Sequence, residues 1–192
     1  GHNVIFPEAM ISTAKSIGIK LQVGLVLQNK KSNYAKEFGD YLRLGLSIRD
    51  KYKDLPSLKF AFSIDQNDSV KSEQLSITAK YANELEMPIH IVFHNNADVK
   101  FVLESLESAG ALNEQTQLSG IQSIADDFCC TLKRYNCKVL HTPLTTHYPD
   151  EYFRTLFKLE ENNPNFSFAT ANTNKFSTFD VFELMKETGI LA

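Results

Sequence analysis

Six short apolar runs, separated by longer amphipathic stretches, constrain the fold of this chain more than any other feature. The runs cover residues 20–27, 58–64, 88–94, 116–121, 137–142 and 166–171. Most of them are continuously apolar, which is typical of strands that are buried on both faces. The stretches between them have helical periodicity, and one more helix precedes the first strand. This alternation predicts a parallel sheet of βα units joined by right-handed crossovers.

The amphipathic stretches also carry signals for the ends of helices. A helix is predicted over residues 35–52, and another over residues 72–86 with Ser72 as its N-cap. The helix in the stretch 97–110 is predicted to end at Gly110. No linker or break in composition interrupts the chain, so we expect one α/β domain over residues 1–192. The pattern leaves open whether the sheet is flat and doubly wound or part of a TIM-type (β/α)8 barrel.

The composition argues against several classes of protein. The net charge is -3 and no basic cluster stands out, so we expect no nucleic-acid partner. The apolar runs are too short to span a bilayer, so no membrane association is expected. No secretory signal is visible and there are three cysteines, which predicts a cytoplasmic location. The chain has no G-x-G-x-x-G or G-K-[ST] loop for phosphates and no G-x-S-x-G nucleophile elbow.

The stretch MPIHIVFHNN, residues 87–96, places two histidines in an apolar strand. Residues 90, 92 and 94 share one face of an extended strand. His90 and His94 are then about 13 Å apart, too far to bind one metal ion unless the strand bends. They are alternatively pocket histidines that hydrogen bonds satisfy. His141 and Asp65 also lie near predicted strand ends, so a metal site built from these side chains stays an open alternative.

Several segments resemble a known enzyme family. FPEAMISTAKSIGIKLQVGLVLQ and FAFSIDQNDSVKSEQLSITAKYANELEMPIHI resemble the third to fifth strands of metal-dependent amidohydrolases of the cytosine-deaminase and chlorohydrolase type. KVLHTPLTTH resembles their seventh strand, and FSFATANTNKFSTFDVFELMK resembles their eighth. The likeness covers residues 6–186 and implies an incomplete (β/α)8 barrel that holds strands three to eight. Because strands one and two have no counterpart, we expect a domain truncated on its N-terminal side.

The same resemblance implies that the metal ligands of the family have been lost. The strand-five histidine falls on Val92, the strand-six histidine on Gly120, and the strand-eight aspartate on Ala171. These three residue types have no side-chain donor atom for a metal. The glutamate that moves a proton falls on Asn95, and an amide cannot replace it in that role. The resemblance therefore implies a pseudoenzyme without the usual metal site, and no cofactor is expected.

Three functional hypotheses remain open after the sequence alone. The leading one is a degenerate amidohydrolase homologue that binds a small molecule or a protein, with a pocket formed by His90, His94, Asn95, His141 and Asp65. The second is an active hydrolase or deaminase acting on C–N or C–Cl bonds, with zinc or iron held by displaced ligands such as His90, His94 and His141. The third is a structural subunit, either a homo-oligomer or a chain whose sheet a partner chain completes.

Overall fold

The computed structural model describes residues 7–65, 70–93, 99–121, 126–141, 157–158, 161 and 165–168. Helices and strands alternate through these residues as α1 (Pro7–Ile17), β1 (Leu21–Leu27), α2 (Phe38–Tyr52), β2 (Leu58–Asp65), α3 (Ser72–Glu84), β3 (Ile89–Val92), α4 (Val99–Ser108), β4 (Gln117–Ser119), α5 (Asp126–Tyr135), β5 (Lys138–His141) and β6 (Phe166–Phe168). Each apolar run therefore contains a strand, as predicted. No helix in these ranges has both the length and the apolar character needed to cross a bilayer.

The described strands form one sheet in the order β1-β2-β3-β4-β5-β6, and every neighbouring pair is parallel. Right-handed crossovers between strands in this order put all the connecting helices on the same face of the sheet. A doubly wound sheet instead reverses its order part-way and has helices on both faces. The flat, doubly wound alternative is therefore wrong. The fold is a partial TIM-type barrel, which confirms the other alternative.

A hydrogen bond across the sheet shows how strongly it curves. Nε2 of Gln22 on β1 donates to Oε1 of Gln117 on β4 at 3.1 Å. These strands are three spacings apart, which is about 14 Å in a flat sheet. Side chains that stand perpendicular to a flat sheet would not meet across that width. The strands therefore curl around the two glutamines, and we call the face that carries them the concave face.

The opposite face of the sheet packs against the helices and forms the apolar core. In β1, Val23, Leu25 and Leu27 point to the helices and are each at most 3% exposed. Their register partners on β2 are Phe60, Phe62 and Ile64. The residues between them point to the concave face, because side chains alternate along a strand. The sequence runs looked continuously apolar because small residues such as glycine and alanine occupy part of that second face.

Four of the described helices end in the same way before the next strand. The residues Gly18, Glu86, Gly110 and Asn136 follow α1, α3, α4 and α5 with positive φ values of 73°, 52°, 67° and 53°. The next N–H then donates to a carbonyl five residues earlier, as from Ala111 to Leu106 at 2.9 Å. This Schellman arrangement satisfies carbonyls at the helix end and turns the chain toward the strand. The prediction that Gly110 ends its helix is confirmed.

Two helix starts differ from the predictions. Helix α2 begins at Phe38 rather than at residue 35, because Oγ of Ser32 accepts the backbone N–H groups of Tyr34 at 3.0 Å and Ala35 at 3.3 Å. These bonds hold the preceding segment in a turn. Ser72 is not an N-cap but the first residue of α3. The N-cap is Lys71, whose backbone N–H donates to Oε1 of the Gln74 side chain at 2.9 Å.

Candidate functional site

The concave face is polar toward the carboxyl ends of its strands. The register pairs Ser63 with His90 and His90 with Gln117, so three polar residues lie side by side on β2, β3 and β4. Two residues closer to the carboxyl ends, the next row consists of Asp65, Val92 and Ser119. Ligands of parallel α/β barrels bind at this end of the strands. We call these two rows the concave site.

His90 is hydrogen-bonded within the concave site. Its Nε2 lies 2.8 Å from Oγ of Ser119 on the neighbouring strand. Ser119 is buried, and His90 is only partly exposed. Burial lowers the pKa of His90 from 6.5 to about 4, so its ring is neutral at neutral pH. A neutral ring beside a hydroxyl offers hydrogen-bond donors and acceptors to a ligand, but no positive charge.

Gly120, directly after β4, occupies a position where no side chain fits. Its φ is +78°, a backbone conformation that favours glycine. A Cβ built on Gly120 would overlap the carbonyl oxygen of Phe93. The N–H of Phe93 in turn donates to the carbonyl of Ser119 at 2.8 Å, which ties the two segments together. The resemblance places a histidine ligand at this position, and this backbone cannot accept a histidine without moving.

A cavity of about 650 Å³ lies at the opposite, amino-terminal end of the strands. Its lining includes Lys59 and Lys138, which are the register partners of Gln22 and Gln117 and so share their face. The rest of the lining comes from residues just before strands, such as those at 85–88 and 114–115. The cavity adjoins the concave site, because Lys138 is the register partner of Gln117. Its character is different, since lysines and the glutamates Glu86 and Glu114 line it in place of histidine and serine.

The chain is similar to two curated deaminases. It is 26% identical over 187 residues to a 5-methylthioadenosine/S-adenosylhomocysteine deaminase of Saccharophagus degradans, covering 91% of this chain and 42% of that protein. A protein of the same description from Teredinibacter turnerae is 24% identical over 147 residues, covering 72% of this chain and 33% of that protein. The chain thus spans less than half the length of these relatives. No protein-family model matches it.

Solved structures share the fold. An adenosine deaminase from Xanthomonas campestris with bound zinc superposes with a TM-score of 0.81 at 19% identity, covering 97% of this chain and 45% of that chain. An atrazine chlorohydrolase from Arthrobacter aurescens complexed with zinc gives a TM-score of 0.70 at 14% identity, covering 86% of this chain and 41% of that chain. These comparisons support the resemblance to the amidohydrolase superfamily. The family resemblance predicted from the sequence is confirmed.

The structure describes only part of the amidohydrolase site that the sequence predicts. His90 and Val92 lie together on the concave face of β3, and Asp65 ends the neighbouring strand β2. His141 ends β5, where its backbone pairs with Phe168, but its side chain lies outside the description. Three further predicted positions lie outside the described residues: His94, Asn95 and Ala171. The roles assigned to these residues therefore stay predictions.

Zinc, which the two solved structures above contain, does not fit the described residues. A zinc site needs three or four His, Cys, Asp or Glu side chains that converge on one point. Within the described ranges no group of three such side chains could hold a metal ion. Val92 and Gly120 offer no donor atom, and Nε2 of His90 is already within hydrogen-bond distance of Ser119. These described positions do not supply the family's ligand set.

The sequence analysis missed three residues of the concave site, Ser63, Gln117 and Ser119. Ser119 matters most, because it contacts His90. It lies in the segment LSGI, which carries no nucleophile elbow and so raised no signal. Its role becomes visible only from the register of β3 and β4, which places Val92 beside it and His90 within reach. The weak signal that could have found it is the alternation along β4, which puts Gln117 and Ser119 on the same face.

Proposed function

We propose that this amidohydrolase homologue lacks the metal centre of its family and binds a small uncharged polar molecule at the concave site. The observation that carries the proposal is Gly120, whose backbone leaves no room for a side chain where the family resemblance places a ligand. Val92 supports it, because valine cannot bind a metal at the strand-five position. The neutral pair of His90 and Ser119 supports the choice of an uncharged ligand, since the pair carries hydrogen-bonding groups but no charge.

Metal content tests the absence of the metal centre. The protein is purified without chelators, incubated with zinc, dialysed, and analysed by elemental mass spectrometry. We expect far less than one equivalent of zinc per chain. The Saccharophagus degradans deaminase, carried through the same steps, is the reference protein. About one retained equivalent in this chain would overturn the proposal.

Calorimetric titration tests the ligand. The first probe is 5-methylthioadenosine, because the names of both curated relatives include it. We expect Ser119→Ala to weaken binding about tenfold, which is typical of losing one buried hydrogen bond. Lys59→Gln, at the opposite end of the same sheet face, is the matched control and is expected to leave the affinity unchanged. Equal affinities for the parent protein and Ser119→Ala would show that the ligand binds outside the concave site.

A second candidate function is an active metal-dependent deaminase or hydrolase. It is favoured by the names of the curated relatives and by the neutral ring of His90, which is the protonation state that binds metals. Retained zinc together with release of ammonia from 5-methylthioadenosine would support this function. His90→Gln would then lower both the zinc content and the activity. Zinc content that this substitution leaves unchanged would show that His90 is not a ligand.

A further inference from the structure

The cavity at the amino-terminal ends of the strands, which we call the amino-terminal cavity, has the size of a binding site for a small molecule. Its volume of about 650 Å³ lies within the range of known ligand pockets. Five successive strands, β2 to β6, contribute lining residues, either from their first residues or from the turns that precede them. Charged, amide and apolar side chains are mixed in this lining, as they are in sites that bind polar molecules.

The curl of the sheet brings two lysines of the lining into one space. Lys59 is the register partner of Gln22, and Lys138 is the register partner of Gln117. Register partners on neighbouring strands lie about 5 Å apart and point to the same face. The side chains of the two glutamines meet at 3.1 Å. Lys59 and Lys138 therefore flank a joined pair of glutamines, although their own strands are three spacings apart.

The ends of the helices do not account for these two lysines. Helix carboxyl ends lie at this end of the sheet, and cations are favoured there. Arg49 has that role in the last turn of α2, and its Nη1 also pairs with Oδ1 of Asp50 at 2.9 Å. Lys59 and Lys138 instead lie on the concave face, with the sheet between them and the helices. Neither lysine forms an ion pair with a carboxylate within the described part of the chain.

The charges of the lining match a dianion. The charged side chains are four cations and two carboxylates, namely Arg49, Lys53, Lys59, Lys138, Glu86 and Glu114. The formal charge of the lining is therefore +2. Like charges near a protein surface repel each other more strongly than in bulk water, and a bound anion removes that repulsion. A phosphate monoester carries a charge of about −1.5 to −2 at neutral pH, and lysine binds phosphate as a point charge.

We propose that the amino-terminal cavity binds a small molecule that carries a phosphate monoester, with Lys59 and Lys138 as the residues that hold the phosphate. The amide of Gln115 and the apolar side chains of Leu85 and Pro88 line other parts of the cavity and would contact the organic part of the ligand. This site is additional to the concave site, which is neutral where the amino-terminal cavity is cationic. The inference does not require that the concave site binds a ligand.

Calorimetric titration of the full chain tests this site. The probe is glycerol 2-phosphate in a buffer free of phosphate and sulfate, and glycerol is the uncharged reference. We expect saturable one-to-one binding of glycerol 2-phosphate and no binding of glycerol. Raising the ionic strength from about 0.01 M to about 0.15 M shortens the screening length from about 30 Å to about 8 Å and should weaken the binding. In nuclear magnetic resonance spectra of the unsubstituted protein, the backbone amides of Lys59 and Lys138 should shift during the titration.

Substitutions locate the bound phosphate. Lys59→Gln and Lys138→Gln are each expected to weaken the binding of glycerol 2-phosphate about tenfold, because each removes one charge-assisted hydrogen bond. Lys80→Gln is the matched control, since it makes the same change of charge at an exposed position of α3 outside the cavity lining. It is expected to leave the affinity unchanged. Ser119→Ala, which tests the concave site, is also expected to leave the affinity for glycerol 2-phosphate unchanged.

Three outcomes would overturn the proposal. The first is that glycerol 2-phosphate shows no saturable binding at millimolar concentrations. The second is that Lys80→Gln weakens binding as much as the two cavity substitutions, because the attraction would then be nonspecific. The third is that Ser119→Ala weakens it as much, because the phosphate would then lie at the concave site. Binding of 5-methylthioadenosine and zinc content are measured separately, so failure here is distinguishable from failure of the proposed function.

Discussion

The backbone at Gly120, at the carboxyl end of β4, has no room for the Cβ of any other residue. Gly120→Ala introduces both the overlap with the carbonyl of Phe93 and a strained positive φ. We expect the free energy of unfolding to fall by about 3 kcal/mol, measured by urea denaturation. Gly39→Ala is the matched control, since a Cβ at Gly39 in α2 meets open space. It is expected to raise stability by about 0.5–1 kcal/mol, and equal effects of the two substitutions would contradict the steric argument.

The low pKa of His90 makes the stability of the fold depend on pH in a defined window. Burial lowers the pKa to about 4 in the folded state, from 6.5 for an exposed ring. Between these values the unfolded chain takes up a proton and the folded chain does not. Stability is therefore lost as pH falls from 6.5 toward 4, by on the order of 2–3 kcal/mol.

Two measurements check the titration of His90. The ring proton resonances of His90 should titrate with a midpoint near pH 4 in nuclear magnetic resonance spectra. His90→Gln should unfold with a shallower dependence on pH than the parent protein across the same window. A midpoint near 6.5 would show that the ring is solvated and that the concave site is not desolvated around it.

The sequence predicts which residues of one strand share a face better than it predicts which residues of two strands are in contact. The two-residue period of a strand puts His90 and Val92 on the same face, as the structure shows. The contact between His90 and Ser119 joins residues far apart in the chain, and it depends on a strand register that neither local sequence encodes. The need for glycine at position 120 cannot be read from the local sequence either, because the atom that excludes a Cβ there belongs to Phe93, on another segment.

At the scale of a helix, the turn that follows α3 contains a residue that does not suit its backbone. Glu86 has a φ of 52°, a conformation in which a Cβ is unfavourable. Glu86→Gly is expected to raise the free energy of unfolding by about 1 kcal/mol, measured by thermal denaturation. Glu84→Gly, two residues earlier in the last turn of the helix, is the matched control. It is expected to lower stability by about 1 kcal/mol, and the same sign for both would contradict the assignment of the helix end.

Helix boundaries were predictable only where the residue at the boundary is of a type that favours a helix end, such as glycine. Gly110 marks the end of α4 because glycine is the residue that tolerates a positive φ. The predicted end of α3 lies two residues beyond its true end, since glutamate gives no such signal at position 86. Helix α2 begins later than predicted because Ser32 holds the preceding segment in a turn, although its periodicity suits a helix.

At the scale of the whole molecule, the outer side of β1, which has no neighbour among the described strands, should be visible in hydrogen exchange. The amides of residues 23, 25 and 27 bond to β2, whereas those of residues 22, 24 and 26 point outward. We expect slow and fast exchange to alternate along β1 in the protein alone, measured residue by residue. Uniform protection along the strand would show that another molecule already covers the edge.

The class of the whole fold was predictable from the alternation of runs, whereas the partial barrel was predicted by the family resemblance and not by the alternation. Alternating apolar runs and helices predict parallel βα units, because only a crossover can join two parallel strands. A flat sheet and a barrel have the same alternation, so the choice between them needs the strand order. That order, and the bond from Gln22 to Gln117 that accompanies the curl, appear only in the structure.

The repeated helix endings give the molecule a modular construction. Because α1, α3, α4 and α5 are each followed by the same left-handed turn, these four junctions into a strand have one shared geometry. The connection from a helix to the next strand is therefore a repeated part of the fold, the same whichever of these four helices precedes it. A chain built in this way uses one standard connector at four places instead of four separate solutions.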